Sequence, residues 1–435
     1  MGRCNLEPSS TSVSNEVIAL VDGHSFYVSC HRLFTPSLVG KPVCVLSNGD
    51  SAVVARSDEA KQLGVKMGHP AYELRELQRR EGLVLISSNY PLYQDIHRRM
   101  MSAISEKVVA MSPYSVDEAF CLLTGMQGDW TQIGLEIQRH VMKLVGIPTG
   151  VGISRNRTTA KLANWASKQW KRSTGSVVAV MDRARLNGML HHAPVEEVWG
   201  VGRKYAEHLQ GYGITTAKQL ASADLKFIRR RHGVTLERTA RELNWEYCLG
   251  HEDSVSEPKQ TMACTRTFPD KLTDPSSISR YICSFASNLG RKLRRDRLLC
   301  ADLKVFLRPA RGCLMTPQGK SATIRLLLPT NDTRDLIRAS TAALEQCLYE
   351  GGTWIGAGAI VLRTVREDFF VPDLFAPQAN PRSNDLMRAI DRINTLSGAG
   401  TIRFAGEHKS LGDMLRRNYP SRRFTTSWND LPEAD

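Results

Sequence analysis

A multidomain α/β chain is what this sequence predicts, on three observations. Short apolar runs alternate with helical patterns over residues 17–193, the order that lays helices on a sheet. From residue 194 the texture changes to short helices punctuated by Gly-x-Gly pairs. Beyond a polar stretch at 250–259, the order strand, helix, strand, strand, helix, strand specifies a four-stranded sheet with two helices on one face, the split-βαβ arrangement. With 435 residues and 42% hydrophobic composition, the chain can bury several cores and is too long for one ordinary domain.

In chain order, residues 1–16 are polar and Ser-rich, carry only Arg3 as a basic residue and lack the apolar stretch of a secretory signal, so they read as a flexible tail. Residues 17–22 form an apolar strand ending in Asp22, and 42–46 and 52–56 are further strands. A helical pattern covers 90–111, and 114–120 reads as a strand interrupted by Asp117 and Glu118. Helix over 130–145, strand over 149–153 and an amphipathic helix over 158–170 complete this part. Val198-Trp199-Gly200-Val201-Gly202 leads into a helix at 203–210, and Gly211-Tyr212-Gly213-Ile214 into one at 216–222. Two short helices joined through a Gly-x-Gly turn suggest a helix–hairpin–helix, whose bare backbone N–H groups can approach a DNA phosphate, although an ordinary turn needing two glycines has the same text. More basic helix follows at 226–241, and 250–259 reads as a linker.

The split-βαβ unit places strands at 260–268, 301–307, 322–328 and 357–365, with helices at 275–297 and 332–350. Its first helix carries six bases and one acid between Arg280 and Arg297, including Arg291, Lys292, Arg294 and Arg295. That density favours phosphate contact over a plain solvated face. The last part holds Leu374-Phe375, a Pro/Asn/Ser-rich hinge, a short helix at 386–396 and a basic, poorly periodic end that reads as an interaction tail. The expected divisions are therefore 1–16, 17–193, 194–250, 251–258, 259–366 and 367–435.

The formal net charge of +14 points to a polyanionic partner, although solubility alone tolerates a basic balance. No run of 18 apolar residues occurs, so no membrane span is expected. The ten cysteines are scattered singly, with no CxxC pair and no zinc spacing, as reduced thiols in a cytoplasmic protein would be.

Asp22 at one strand end and the Asp117-Glu118 pair in another apolar strand are the residues that carry chemistry. Adjacent acids in a buried-looking strand are costly unless cations neutralise them. Strand ends that bring such acids to one point can hold two divalent ions for phosphoryl or nucleotidyl transfer. The alternative is that Asp117 and Glu118 face water at an edge or hairpin. Regular strand alternation would separate neighbours, so a convergent site requires a bend or strand end there. Phe26 and Tyr27 follow Asp22 where a sugar could rest, or belong to the core. Arg56, Lys61 and Lys161 suit a triphosphate, or plain surface charge.

Val21-Asp22-Gly23-His24-Ser25-Phe26-Tyr27, Tyr114-Ser115-Val116-Asp117-Glu118-Ala119-Phe120, and Gly150-Val151-Gly152-Ile153-Ser154 followed by Thr159-Ala160-Lys161-Leu162-Ala163 resemble, in order and spacing, the Y-family of translesion DNA polymerases. Leu46-Ser47-Asn48, Glu59-Ala60-Lys61, Ser87-Ser88-Asn89-Tyr90 and Trp199-Gly200-Val201-Gly202-Arg203 are similar to its UmuC branch, and the likeness covers about residues 17–420. The resemblance implies a right-hand polymerase with palm and small fingers (17–193), a helix–hairpin–helix thumb (194–250) and a split-βαβ little finger (259–366). It implies that Asp22 and Asp117 bridge two Mg²⁺ ions, that Glu118 holds the catalytic one and that the Gly23 carbonyl joins the nucleotide-side ion. Tyr27 becomes a steric gate against a ribose 2′-OH, beside Phe26. Tyr93, Lys61 and Lys161 contact the dNTP triphosphate, and Arg56 lines the fingers over the base. Gly200, Gly202 and Arg203, with Arg291, Lys292, Arg294 and Arg295, contact the damaged primer-template. Implied partners are a processed UmuD-type protein, a recombinase filament and the sliding clamp, in error-prone SOS mutagenesis.

Two departures stand out. His24 occupies a position where many members have an acid or Asn, and of the clamp-binding pattern only Leu374-Phe375 is kept. A stand-alone DinB-like polymerase and a non-catalytic DNA-binding protein are the competing readings. The long basic tail argues against the first and the intact acid triplet against the second.

Overall fold

The computed structural model describes residues 16–248, 259–310, 319–371, 382–408 and 417–431. The chain divides into two compact units, Met1–Val255 together with Arg417–Asp435, and Ser256–Arg416. Among the described residues no helix is long and apolar enough to cross a membrane.

The first unit contains β1 (Ile18–Gly23), β2 (Val43–Leu46), β3 (Val53–Arg56), β4 (Val84–Ser87), β5 (Ala110–Pro113), β6 (Glu118–Leu122), β7 (Thr149–Ser154) and β8 (Val177–Ala179). Five of them form one sheet in the order β5-β6-β1-β7-β8, antiparallel except for the β7–β8 pair. β1 lies in the middle and is buried along its whole length, which is why its sequence is a continuous apolar run rather than an alternation. The Arg157–Gln169 helix lies so close over β7 that a Cβ on Gly152 would come within 2.1 Å of the Asn164 backbone nitrogen. A second sheet, β3-β2-β4, encloses its own small core around Cys44, Leu46, Val53, Leu74 and Leu85. Short helices between Arg183 and Glu242 pack around Leu209, Leu220, Ile228, Leu236 and Trp245.

Of the element boundaries that differ from the sequence reading, three have a local reason. The helix that starts at Tyr90 stops at Ser105, and the chain turns into β5 after the β-branched pair Val108-Val109. The expected strand at 114–120 begins at Glu118, because residues 115–117 form a turn between β5 and β6. The helix expected over 226–241 breaks at Gly233, whose φ of 88° is open to glycine, into Leu225–His232 and Val234–Glu242.

The second unit is an antiparallel sheet of β9 (Met262–Leu272), β10 (Leu298–Pro309), β11 (Lys320–Thr330) and β12 (Trp354–Arg366), in the order β11-β10-β12-β9. The Pro275–Arg295 and Thr333–Glu345 helices share its core with Phe285, Leu289, Leu336 and Trp354. Along β10, Leu303, Val305 and Leu307 are buried while Lys304, Phe306 and Arg308 are not, so the pleat puts alternate residues on a core face and an uncovered face that carries the two basic side chains. A third helix, Arg382–Leu396, is tied to the first by a bidentate Arg294–Asp391 pair at 2.7 and 2.8 Å. Phe424, from the segment read as an interaction tail, is 6% exposed and belongs to the main core of the first unit. Residues 1–15, Leu374, Phe375 and the expected linker up to residue 258 lie outside the described residues.

Candidate active site

Strand pairing brings two of the three expected acids together. Antiparallel register sets Asp22 of β1 directly opposite Glu118 of β6, and opposite Gly150 of β7 on its other side. Asp117 precedes the strand, inside the turn. Its N–H and that of Glu118 donate to the Ser115 hydroxyl at 3.2 and 3.1 Å, and that hydroxyl donates to Asp117 Oδ1 at 2.6 Å. The Gly23 N–H donates to the Asp117 carbonyl at 2.8 Å, locking the turn onto the end of β1. Strand alternation therefore does not govern Asp117, which removes the obstacle that the sequence posed.

The charges of the acids are met by lysines from one helix. Lys168 Nζ lies 2.7 Å from Asp22 Oδ2, and Lys161 Nζ lies 2.9 and 3.2 Å from the two Glu118 oxygens. Both lysines project from Arg157–Gln169, seven positions apart and so on one face. Burial pushes the Asp22 carboxyl up to about 7 despite Lys168, and a hydrogen bond with Glu118 adds to the rise. Burial works against the Glu118 charge as well, but hydrogen bonds from Asp22 and Lys161 and the charge of Lys161 outweigh it, so its carboxyl sits below the ordinary value. The two acids titrate as a pair, and ionisation is the less favourable at Asp22. Among the described residues no group of three or more His, Cys, Asp or Glu side chains is gathered tightly enough to hold a metal ion, in keeping with the turning of Asp117 toward Ser115. The Asp22–Glu118 pair nevertheless has the chemistry of a hard-cation site: two adjacent carboxylates, one of them 4% exposed, each needing a positive partner that a lysine supplies here.

Further cations lie beside it. Asp58 accepts from Lys61 and Lys171, each at 2.7 Å. Burial opposes ionisation of Asp58, but these two partners hold its carboxyl well below the usual range. Burial, reinforced by Lys171 and Lys168, pushes His24 down to about 4, so its ring is neutral, and its Nε2 is buried without a hydrogen-bond partner among the described residues. Arg56 on β3 likewise keeps Nε and Nη1 buried and unpartnered there.

Tyr27 is half-buried at the start of the Phe26–Phe34 helix, and its ring stacks on Tyr93 at 4.0 Å with 11° between planes. Burial raises the Tyr27 phenol above its ordinary value, with smaller contributions from Tyr90 and from the Asp117 charge. Two expected contacts sit deeper than the sequence implied. Tyr93 is 1% exposed with its hydroxyl 2.8 Å from His31 Nε2, so it backs Tyr27 rather than facing an open site. Phe26 is 3% exposed and packs in the core against Gly23.

Gly200 and Gly202 flank the first turn of the helical layer. Gly200 has φ 86°, Gly202 precedes the Arg203–Gly211 helix, and the Arg203 side chain is exposed. In the second unit Arg291, Lys292 and Arg295 rim an open pocket of about 730 Å³ beside the Arg382–Leu396 helix. Arg294 differs from them: 12% exposed, it is consumed by Asp391, the Asn331 carbonyl and Thr333, and serves the fold rather than a ligand. Sequence reasoning missed Lys168 and Lys171, although the seven-residue spacing from Lys161 to Lys168 was visible. It also missed the basic residues of the uncovered sheet face, Lys304, Arg308 and Arg325, whose alternation with buried neighbours was equally readable.

Residues 21–165 match the impB/mucB/samB family, 259–366 match the C-terminal domain of that family, and 384–434 match a domain of unknown function, DUF4113. The chain is 40% identical to Protein UmuC of Salmonella typhimurium over 421 residues, 95% of this chain and 99% of that protein. It is 34% identical to Protein MucB of Escherichia coli over 425 residues, 96% and 99% of the two. Among solved structures, the Y-family DNA polymerase chimera of Dbh and Dpo4 covers 79% of this chain and 98% of its own, with a TM-score of 0.62 at 17% identity, a likeness of fold.

Proposed function

The chain belongs to the impB/mucB/samB family, the UmuC branch of the Y-family DNA polymerases, and on that premise we propose that it is a DNA polymerase that extends a primer 3′ end on damaged template. The observation that carries this reading to named residues is the register match of Asp22 with Glu118, with Asp117 held at the same strand ends. Asp22, Asp117, Glu118 and the Gly23 carbonyl are the oxygens that would hold two divalent ions, Mg²⁺ in our reading. Bound there, the ions supply the activation of the attacking 3′-hydroxyl and the charge stabilisation at phosphorus that nucleotidyl transfer requires.

The side chains prepare that site. Lys161 and Lys168 keep the buried carboxylates charge-compensated, and with those acids engaged elsewhere they would be free to meet a triphosphate. Lys61 and Lys171, both paired with the exposed Asp58, bring two more positive charges to the same end of the sheet. Tyr27, fixed flat on Tyr93, sets a wall where a ribose 2′-OH would sit. Arg56 offers buried, unpartnered donors from the fingers. Duplex is held through the Gly200–Gly202 turn and through the uncovered sheet face of the second unit, where Lys304, Arg308 and Arg325 meet phosphates. A processed UmuD-type subunit, a recombinase filament and a sliding clamp engaged through Leu374 and Phe375 complete the assembly, which works in the cytoplasm.

The reading is checked by pairing incorporation with binding. Asp117→Ala and Glu118→Ala are each expected to lower kcat by orders of magnitude with primer-template affinity little changed. Parent-level incorporation by either variant would remove that residue from the site.

A further inference from the structure

Residues 417–431 of the first unit lie against the two helices that carry Tyr27 and Tyr93. Phe424 stacks on Phe34 at 4.9 Å with 10° between ring planes, and Phe34 ends the Phe26–Phe34 helix that begins with Tyr27's neighbour. Asn89, the N-cap of the Tyr90–Ser105 helix, accepts from the Leu92 N–H through Oδ1. Its Nδ2 is turned outward and donates to the Ser421 hydroxyl at 3.0 Å and the Arg422 carbonyl at 3.1 Å. Just before it, Ser87 donates its N–H to the Tyr419 carbonyl at 2.8 Å, and its hydroxyl accepts from the Tyr419 N–H at 3.2 Å. The buried Asp50 carboxylate accepts from both the Ser87 hydroxyl and the Asn418 N–H. The segment is thus hydrogen-bonded to the end of β4 and the helix cap, and packed on the Tyr27 helix. Between these attachments lies a cleft of about 480 Å³ lined by His31, Phe34 and Ile86 on one side and Tyr419 and Phe424 on the other. His31 is the residue whose ring holds the Tyr93 hydroxyl.

We infer that residues 417–431 are a strap that positions the sugar-discriminating layer. The Tyr27–Tyr93 stack joins two different helices, so its geometry depends on what fixes those helices to each other. His31–Tyr93 fixes them inside the layer, and the strap fixes them from behind, gripping one helix at Phe34 and the other at Asn89. A ring that is free to tilt excludes a 2′-OH less well than one held in place, because steric selection depends on displacements of tenths of an ångström against packed neighbours. Phe424 and Asn89 are therefore positioning residues for sugar selection, remote from the reacting atoms. This inference rests on reading Tyr27 as the gate.

Four variants of the 435-residue chain test it, each read as the ratio of kcat/KM for a deoxynucleotide to that for the matching ribonucleotide, below the measured melting temperature of the variant. Phe424→Ala empties the stacked position. Asn89→Ser keeps a helix cap but removes the amide that grips the strap. Tyr27→Ala is the control for the gate itself. The expected result is a severalfold fall in the ratio for Phe424→Ala and Asn89→Ser, smaller than the fall for Tyr27→Ala, and recovery with Phe424→Tyr. If Tyr27→Ala lowers the ratio and the two strap variants leave it at the parent value, the strap inference is wrong and the gate stands. If Tyr27→Ala leaves the ratio unchanged, the gate reading fails and this inference with it. Should Phe424→Ala not fold, Asn89→Ser decides alone.

Discussion

Asp22 is a carboxylate placed where ionisation is unfavourable, and that placement makes a partner cation effective. A surface acid would gain little from Lys168, whereas a 4% exposed one depends on it. The same logic applies to Tyr27, which works by position alone. Tyr27→Ala should lower discrimination against ribonucleotides at least tenfold, equal to about 1.4 kcal/mol in differential barrier, and steady-state incorporation of the two sugars measures it. His31 offers a pH test. Burial pushes it down to about 4, so its ring is neutral in the fold while the unfolded chain takes up a proton near the ordinary value of 6.5. Stability is therefore lost as pH falls from 6.5 toward 4, at up to about 1.4 kcal/mol for each unit spanned. His31→Gln, which can still bond the Tyr93 hydroxyl, should flatten that part of the denaturation profile relative to the parent. An identical slope in both would show that His31 is not the titrating group. The acids and Lys161 were legible in the sequence because they interrupt apolar patterns. Lys168 was not singled out, since a lysine near a helix end has an unremarkable context until the opposite strand is known.

Whole elements explain why those side chains meet. β1 and β6 pair without a bulge, so the position of Asp22 follows from where each strand begins. The Arg157–Gln169 helix delivers both lysines because β7 leaves room for it at Gly152, where a Cβ would meet the Asn164 nitrogen at 2.1 Å and the Ala160 carbonyl at 2.4 Å. Gly152→Ala must push the helix outward, since the obstructing atoms are backbone. The expected cost is about 1–3 kcal/mol in denaturant unfolding, together with a loss of incorporation as Lys161 and Lys168 retreat. Unchanged stability and activity would contradict this account of the helix position. The strands and helices expected from periodicity are present, most with boundaries within a few residues, whereas the strands Val84–Ser87 and Val177–Ala179 and the helices Asp58–Gln62, Arg75–Glu81 and Arg183–His192 were not expected. The turn at 115–117 was not legible, because a Ser hydroxyl satisfying two successive N–H groups leaves no mark on hydrophobic pattern. Nor was the end of the helix at Ser105, since the following residues keep a helix-compatible pattern and yield to sheet pairing with β6.

At the scale of the molecule, two compact units share the work: one holds the acids, the other offers a basic sheet face. The division into a catalytic region and a split-βαβ unit followed from the order of elements. The return of residues 417–431 to the first unit did not, because its bonds join positions 332 and 333 residues apart and no local pattern encodes such a pairing. Metal-dependent synthesis on damaged template is read out by single-nucleotide incorporation opposite an abasic site. The parent and Asp117→Ala would be compared with and without Mg²⁺, alone and with a processed UmuD-type partner. Incorporation by the parent only, and only with Mg²⁺, is the expected result. No incorporation under any of these conditions, with primer-template binding retained, would contradict the account and leave a non-catalytic DNA-binding protein in its place.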